Sequence, residues 1–368
     1  MKRTSIILAL ALVIALLTGC AGTPVVYYSD CTCPTGAHTE TTPVETTAPV
    51  ETINPVESTP VAEGAVKTGV AIVASALESK SAGDADGEAK YDVSVVAVTV
   101  DDNGVIQSCI IDSIGTSVLF DVNGSIVSDL TAEIPTKNEL GDAYNMKLYG
   151  GAVAEWYEQA AALASFACGK TVEELRAGAV DETGHAVDAD LATSATIYLG
   201  GYVSAIENAV FNAQHLGAQA GDELKLAISS SVDGSTPADA ENAGLAQLYT
   251  NAAAVTVKDG VITSCQIDAV QAKVNFDATG TVTTDLTAPI LTKNELGDGY
   301  NMKTYGGAIA EWYEQAASFA SYITGKTADE VAGIAVDETT KPTDADLLTS
   351  VTIKIGEFQN LIAKALNG

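Results

Sequence analysis

The chain repeats itself. Residues 130–171 read LTAEIPTKNELGDAYNMKLYGGAVAEWYEQAAALASFACGKT, and residues 286–327 read LTAPILTKNELGDGYNMKTYGGAIAEWYEQAASFASYITGKT, an offset of 156 positions. The register holds without a gap from Gly104/Gly260 to Ile206/Ile362. Solenoid units run about 20–50 residues, so a period this long specifies two copies of one domain. The duplication predicts that shared chemistry stands at matched positions and that a feature found once is local.

The copies begin only after about 64 residues of a different character. Lys2 and Arg3 precede the twelve-residue apolar run 6–17, which is followed by Leu17-Thr18-Gly19-Cys20. A permanent membrane helix needs about 20 apolar residues, so residues 1–20 read as a targeting segment. The tetrad resembles the bacterial lipobox, which implies lipidation at Cys20 and a mature chain anchored to the outer face of a bacterial cytoplasmic membrane. An ordinary secretory leader is the alternative. Residues 21–64 carry the near-repeat TETTPVETTAPVETINPVESTPVAEGA, whose Pro, Thr and Glu content favours an extended, disordered stalk. Cys31 and Cys33 in the stalk read as two surface thiols or a local disulfide in preference to a metal site.

The rest of the chain is expected to form repeat domains at 65–215 and 216–368. The apolar fraction of 47% is enough for two cores. The net charge of −30, with Arg3 and Arg176 the only arginines, excludes nucleic acid as a partner. Cys109 and Cys265 stand at matched positions and read as small buried apolar groups, with a disulfide between copies as the other reading.

Each copy opens with β-branched runs separated by hairpin turns. In copy one these are 93–100, 105–111, 118–121 and 125–127, broken at Asn103-Gly104 and Asn123-Gly124. Helical spacing follows at 151–168, where Val153, Trp156, Tyr157, Ala160, Leu163, Ala164 and Ala167 share a face, and Gly169 ends it. Thr171-Val172-Glu173-Glu174 is a capping box that opens a second helix, and Thr327-Ala328-Asp329-Glu330 repeats it. A β-like run at 194–199 and a helix from about 201 to 211 close the unit. Strands followed by helices predict an α+β fold, two tandem copies each with an antiparallel meander sheet and packed helices.

The join between that last run and the helix carries the most specific motif. Copy one reads Asp190-Leu191-Ala192-Thr193-Ser194-Ala195-Thr196, and copy two reads Asp346-Leu347-Leu348-Thr349-Ser350-Val351-Thr352. Together with Phe166-x-x-Gly169-Lys170-Thr171 and Tyr322-x-x-Gly325-Lys326-Thr327 upstream, this resembles the flavinylation motif of the extracytoplasmic FMN-binding domain family. The resemblance implies FMN joined by a phosphodiester to Thr196 and Thr352, with Asp190, Thr193, Asp346 and Thr349 in the motif. It also implies a flavin transferase and a redox partner. Both copies depart from the family in having Ser194 and Ser350 where it has Gly, and copy two has Val351 where it has Ala.

Other signals are sparser. Trp156 and Trp312, the only tryptophans, read either as core anchors on the apolar helix face or as platforms for a flavin ring. His38, His185 and His215 do not recur, which removes a histidine triad or histidine metal site. Asp84-Ala85-Asp86-Gly87 starts like a calcium loop but lacks the later ligands. The matched segments 137–147 and 293–303 are polar, Gly-bearing and suited to ligand contact. Two functions are compatible with these features: a tethered electron carrier with flavin on threonine, or a cofactor-free binding or structural lipoprotein that keeps the fold.

Overall fold

The structure is a computed structural model, and it describes residues 64–367. The leader, Cys20 and nearly all of the stalk, including Cys31 and Cys33, lie outside the described residues. Copy one contains strands β1 (Lys67–Ser75), β2 (Gly87–Val100) and β3 (Ile106–Phe120). Its helices are α1 (Lys137–Leu140), α2 (Met146–Gly150), α3 (Trp156–Ala167), α4 (Val172–Gly178), α5 (Ala189–Ser194) and α6 (Gly200–Phe211). Copy two repeats the order with β4 (Glu223–Ser231), β5 (Gly244–Lys258) and β6 (Val261–Phe276). Its helices are α7 (Lys293–Leu296), α8 (Met302–Gly306), α9 (Trp312–Ile323), α10 (Ala328–Ala332) and α11 (Gly356–Asn367). Each sheet is an antiparallel meander, β1-β2-β3 and β4-β5-β6. The α+β reading holds.

Strand β2 explains how the layers stack. Val93, Val95 and Ala97 enter a central core that also takes Ala252, Ala254, Val270 and Val274 from copy two. The alternate residues Val96, Val98 and Val100 face Trp156, Leu163, Val203 and Ile206 of α3 and α6. A strand covered on both faces reads as a continuous apolar run, not an alternating one, and VVAVTV is such a run. Copy two builds its own outer core from Val255, Trp312, Phe319, Phe358 and Ile362. There are thus three cores instead of two, and the middle one belongs to both copies. Both copies fall in one compact unit.

Matched residues meet across that middle core. Phe120 and Phe276, equivalent at the offset of 156, stack with ring centroids 4.0 Å apart and planes 3° from parallel. The Ala82 N–H donates to Gly280 O at 2.8 Å, and the equivalent Ala238 N–H donates to Gly124 O at 2.8 Å. Residue i of one copy contacts residue j of the other and the reverse, which is the signature of a two-fold interface. The duplication has made an internal pseudo-dimer.

Four sequence expectations change. The runs at 105–111 and 118–121 are one strand, β3, and 125–127 contributes only an isolated bridge between Ile126 and Phe120. Strand β1 is absent from the sequence expectation: its apolar run 70–74 is preceded by Gly69, where a Cβ would lie 2.0 Å from Ala209 O, so glycine is what lets α6 pack on the strand. The helix expected from 151 starts at Trp156, because Gly151 takes φ +62° and the Glu158 carboxylate accepts from Glu155 N at 2.8 Å to fix the new start. The β-like run at 194–199 forms no strand. Asp188 caps a helix over 189–194, accepting from the Asp190 and Leu191 N–H groups, and the next five residues are not in a ladder. The matched cysteines are free thiols, Cys265 buried and Cys109 half-buried.

Candidate functional site

The motif threonines are held by a residue that sequence inspection passed over. Gln159 projects from α3, fully buried, and its Oε1 accepts from Thr196 N at 2.7 Å, Ile197 N at 3.1 Å and Thr196 Oγ1 at 3.4 Å. Its Nε2 donates to Ala154 O at 2.8 Å. Gln315 does the same in copy two, accepting from Thr352 N at 2.8 Å, Thr352 Oγ1 at 3.2 Å and Ile353 N at 3.2 Å. These bonds replace the ladder the run lacks, since buried backbone donors must find partners. The available signal was a glutamine on the apolar face of the same helix in both copies.

The remaining motif residues are placed differently. Thr193 and Thr349 are exposed and donate back to Asp190 O and Asp346 O. Asp190 and Asp346 are exposed, and Asp346 lines a separate shallow depression of 520 Å³ that does not include Thr352. The structure does not bring the motif acid and the motif threonine into one cavity. Ser350 has φ −130°, a conformation that does not call for glycine, and Val351 is buried in the outer core away from solvent.

Thr352 itself lines a cavity of 1020 Å³ in copy two, with Tyr249, Lys293, Trp312, Lys341, Lys354 and Glu357. Three of the chain's few lysines converge here, in a protein of net charge −30. Lys293 is buried, and its Nζ lies 4.5, 4.9 and 4.8 Å from the ring centroids of Tyr249, Tyr300 and Trp312. It donates to the Tyr249 hydroxyl at 2.9 Å. Burial lowers its pKa from 10.5 to about 8, against the pull of the Glu357 and Asp268 carboxylates. The ring faces supply the attraction that keeps a cation in this position.

The surrounding polar groups fix the cage. Asp268 is buried, accepts from Asn294 N at 3.1 Å and from Ala269 N at 2.7 Å, and burial raises its carboxyl to about 6. Together with the Thr292–Glu295 capping box, these bonds set α7 so that Lys293 points at the rings. The segments 137–147 and 293–303, expected as loops for ligand contact, are chains of short helices, and 293–303 supplies Lys293 and Tyr300 to this cage. Asn251 Nδ2 donates to Glu357 Oε2 at 3.2 Å, and its Oδ1 is a buried side-chain atom with no partner.

Copy one has the frame without the site. Lys137 lies over Tyr144 and Trp156 at 5.3 and 5.1 Å, but Asp92 holds the strand position of Tyr249, Ser94 that of Asn251 and Gly201 that of Glu357. His185 and Tyr198 stand at the positions of Lys341 and Lys354. The Tyr198 ring lies against Gly184 and Gly200, so close that a Cβ on Gly184 would come within 2.1 Å of it. Copy two has Thr340 in place of Gly184, which denies a ring that resting place. The residues that distinguish this cavity occur once, in copy two.

The tryptophans are core anchors. Trp156 and Trp312 are 2% and 3% exposed. Trp156 has Tyr202 edge-on and donates to its hydroxyl at 3.2 Å, while Trp312 has Phe358 edge-on and Lys293 over its ring. Neither has a free face for a flavin ring. In copy two Thr352 is half-exposed at the cavity, and Lys341 and Lys354 line it beside the first turn of α11. Comparison with protein-family models, with curated proteins and with solved structures returned no match.

Proposed function

We propose that the protein is a membrane-tethered extracytoplasmic lipoprotein that carries flavin mononucleotide on Thr352 and serves as an electron carrier. The observation that supports this is the position of Thr352, the motif hydroxyl that lines a cavity shared with Lys293, Lys341 and Lys354. A bound flavin would supply the redox chemistry, and the chain supplies tether, orientation and electrostatics. Lys341 and Lys354, which line the same cavity, would neutralise a phosphodiester at Thr352. Gln315 keeps the backbone on either side of the attachment point in place through the Thr352 and Ile353 N–H groups. In copy one Thr196 is exposed and its neighbour Tyr198 covers the start of α6, so attachment favours copy two.

The test is expression alongside a flavin transferase. Visible flavin absorbance and a flavinylated Thr352 peptide are expected, lost in Thr352→Val and kept in Thr196→Val. A colourless product with both threonine peptides unmodified would overturn the proposal. That outcome would favour the second reading, a cofactor-free binding lipoprotein. Its support is that Gln315 already satisfies Thr352 Oγ1, which accounts for the hydroxyl without any cofactor.

A further inference from the structure

The two copies serve as controls for each other, and one carboxylate is treated differently in them. In copy one Glu139 closes the capping box through Oε2, which accepts from Thr136 N at 2.8 Å. Its Oε1 takes Lys364 Nζ at 2.6 Å, and the same ammonium donates to Ile228 O, an edge carbonyl of β4, at 2.6 Å. An alkylammonium from α11 thus bridges the copies. Copy two builds the same carboxylate: Glu295 Oε2 accepts from Thr292 N at 2.7 Å. The position equivalent to Lys364 is Asn208, which is exposed, uncharged and shorter. Among the described residues no cation pairs with Glu295, and the carbonyl equivalent to Ile228 O is Ile72 O on the edge of β1.

A cavity of 1040 Å³ opens beside Glu295, between the end of α6, the connecting segment that follows it and α9. Its apolar surfaces come from Val70, Ala317 and Ala320, with the Phe211 side chain 90% exposed at the rim. The imidazole, the second carboxylate and the phenol there are already engaged, the last through Tyr313 Oη, which donates to Asp298 Oδ1 at 3.3 Å. His215 Nε2 bonds Asp102 at 2.8 Å, and Glu314 caps Glu311 N while lying 3.9 Å from Lys303.

We infer that this cavity is a binding site for a primary ammonium carried on an apolar body, with the ammonium on Glu295 and the body between Phe211 and α9. Copy one shows which headgroup the carboxylate takes. A primary ammonium matches the copy-one group, which spends separate N–H donors on a carboxylate and a carbonyl; a quaternary ammonium has no N–H to spend. A charge-assisted bond of this kind is about twice as strong as a neutral one, and the protein's net charge of −30 draws cations toward it. The inference does not depend on flavin at Thr352.

Titration of the full chain with phenethylamine by isothermal calorimetry tests it, with phenethyl alcohol as the neutral isostere. The amine is expected to bind and the alcohol to fail at the same concentrations. Glu295→Gln, which preserves the capping box because Gln also serves there, should weaken the amine about tenfold. Asn208→Lys should also block it, by supplying from within the chain the ammonium that Lys364 supplies in copy one. No heat with phenethylamine, equal binding of the alcohol, or unchanged affinity in Glu295→Gln would each overturn the assignment.

Discussion

The shared middle core can be tested with one methyl group. Gly280 has φ +69°, and a Cβ there would lie 2.6 Å from both Ala82 Cβ and Asp121 O of the other copy. Gly260 has φ +78° with nothing within 4 Å of its would-be Cβ. Alanine at either position costs about 1–2 kcal/mol for left-handed backbone, offset by about 0.4–1 kcal/mol from the stiffer unfolded chain. Gly260→Ala should therefore destabilise by about 1 kcal/mol. Gly280→Ala adds an overlap with packed neighbours, worth about 1–3 kcal/mol, for a total of about 2–4 kcal/mol. The equivalent pair behaves likewise, because a Cβ on Gly124 would lie 2.7 Å from Ala238 Cβ, whereas Gly104 is open. In that pair Ala238→Gly removes the nearest clash and should restore much of the loss. Urea unfolding of the four single variants and the Gly124→Ala/Ala238→Gly double variant reads these differences directly. If Gly280→Ala and Gly260→Ala fall within about 0.5 kcal/mol of each other, about the error of additive comparison, the face-to-face packing of the copies is wrong.

Two further outcomes concern the cage and the threonine run. With Lys293 at about 8 in the fold and near 10.5 unfolded, the native state binds fewer protons between those values, so its contribution to stability grows as pH rises through the window and is lost as pH falls below it. At 1.36 kcal/mol per pKa unit the full change is about 3 kcal/mol. The stability difference between wild type and Lys293→Met should move by about that amount in favour of wild type from pH 7.5 to pH 10.5; a flat difference across the range would show that the ammonium is not desolvated. Gln315→Leu strands the Thr352 and Ile353 N–H groups and should cost about 2–4 kcal/mol. Amide exchange at those two positions should speed up, and unchanged exchange would mean that the glutamine does not hold the run.

Residue patterns disclosed the local structure well where one element satisfies its own needs. The capping boxes at Thr171 and Thr327 form as read, because the side chains that complete them lie three residues away. Helix α6 and its counterpart follow their apolar spacing for the same reason. The run at 194–199 misled, since its β-branched residues suit a strand but its hydrogen-bond partner is a glutamine 37 positions earlier. Strand β1 carries a glycine whose purpose is set by a helix 140 positions away, from Gly69 to Ala209.

The candidate site divides along the same line. Thr352 was legible as a motif residue, and Lys293 as part of a matched polar stretch. Tyr249, Asn251, Glu357, Lys341 and Lys354 were not, because comparison of the copies discards whatever is found once. Sequence by itself determined the duplication, the α+β order of elements in each copy and the local caps, all of which depend on short-range spacing and on likeness between the copies. Only the tertiary structure decided that the copies share a core, that Lys293 sits among three rings and that Thr352 and Glu295 line separate cavities. Those outcomes depend on which faces meet across long sequence separations, and burial is a property of the assembled surfaces and not of any one segment.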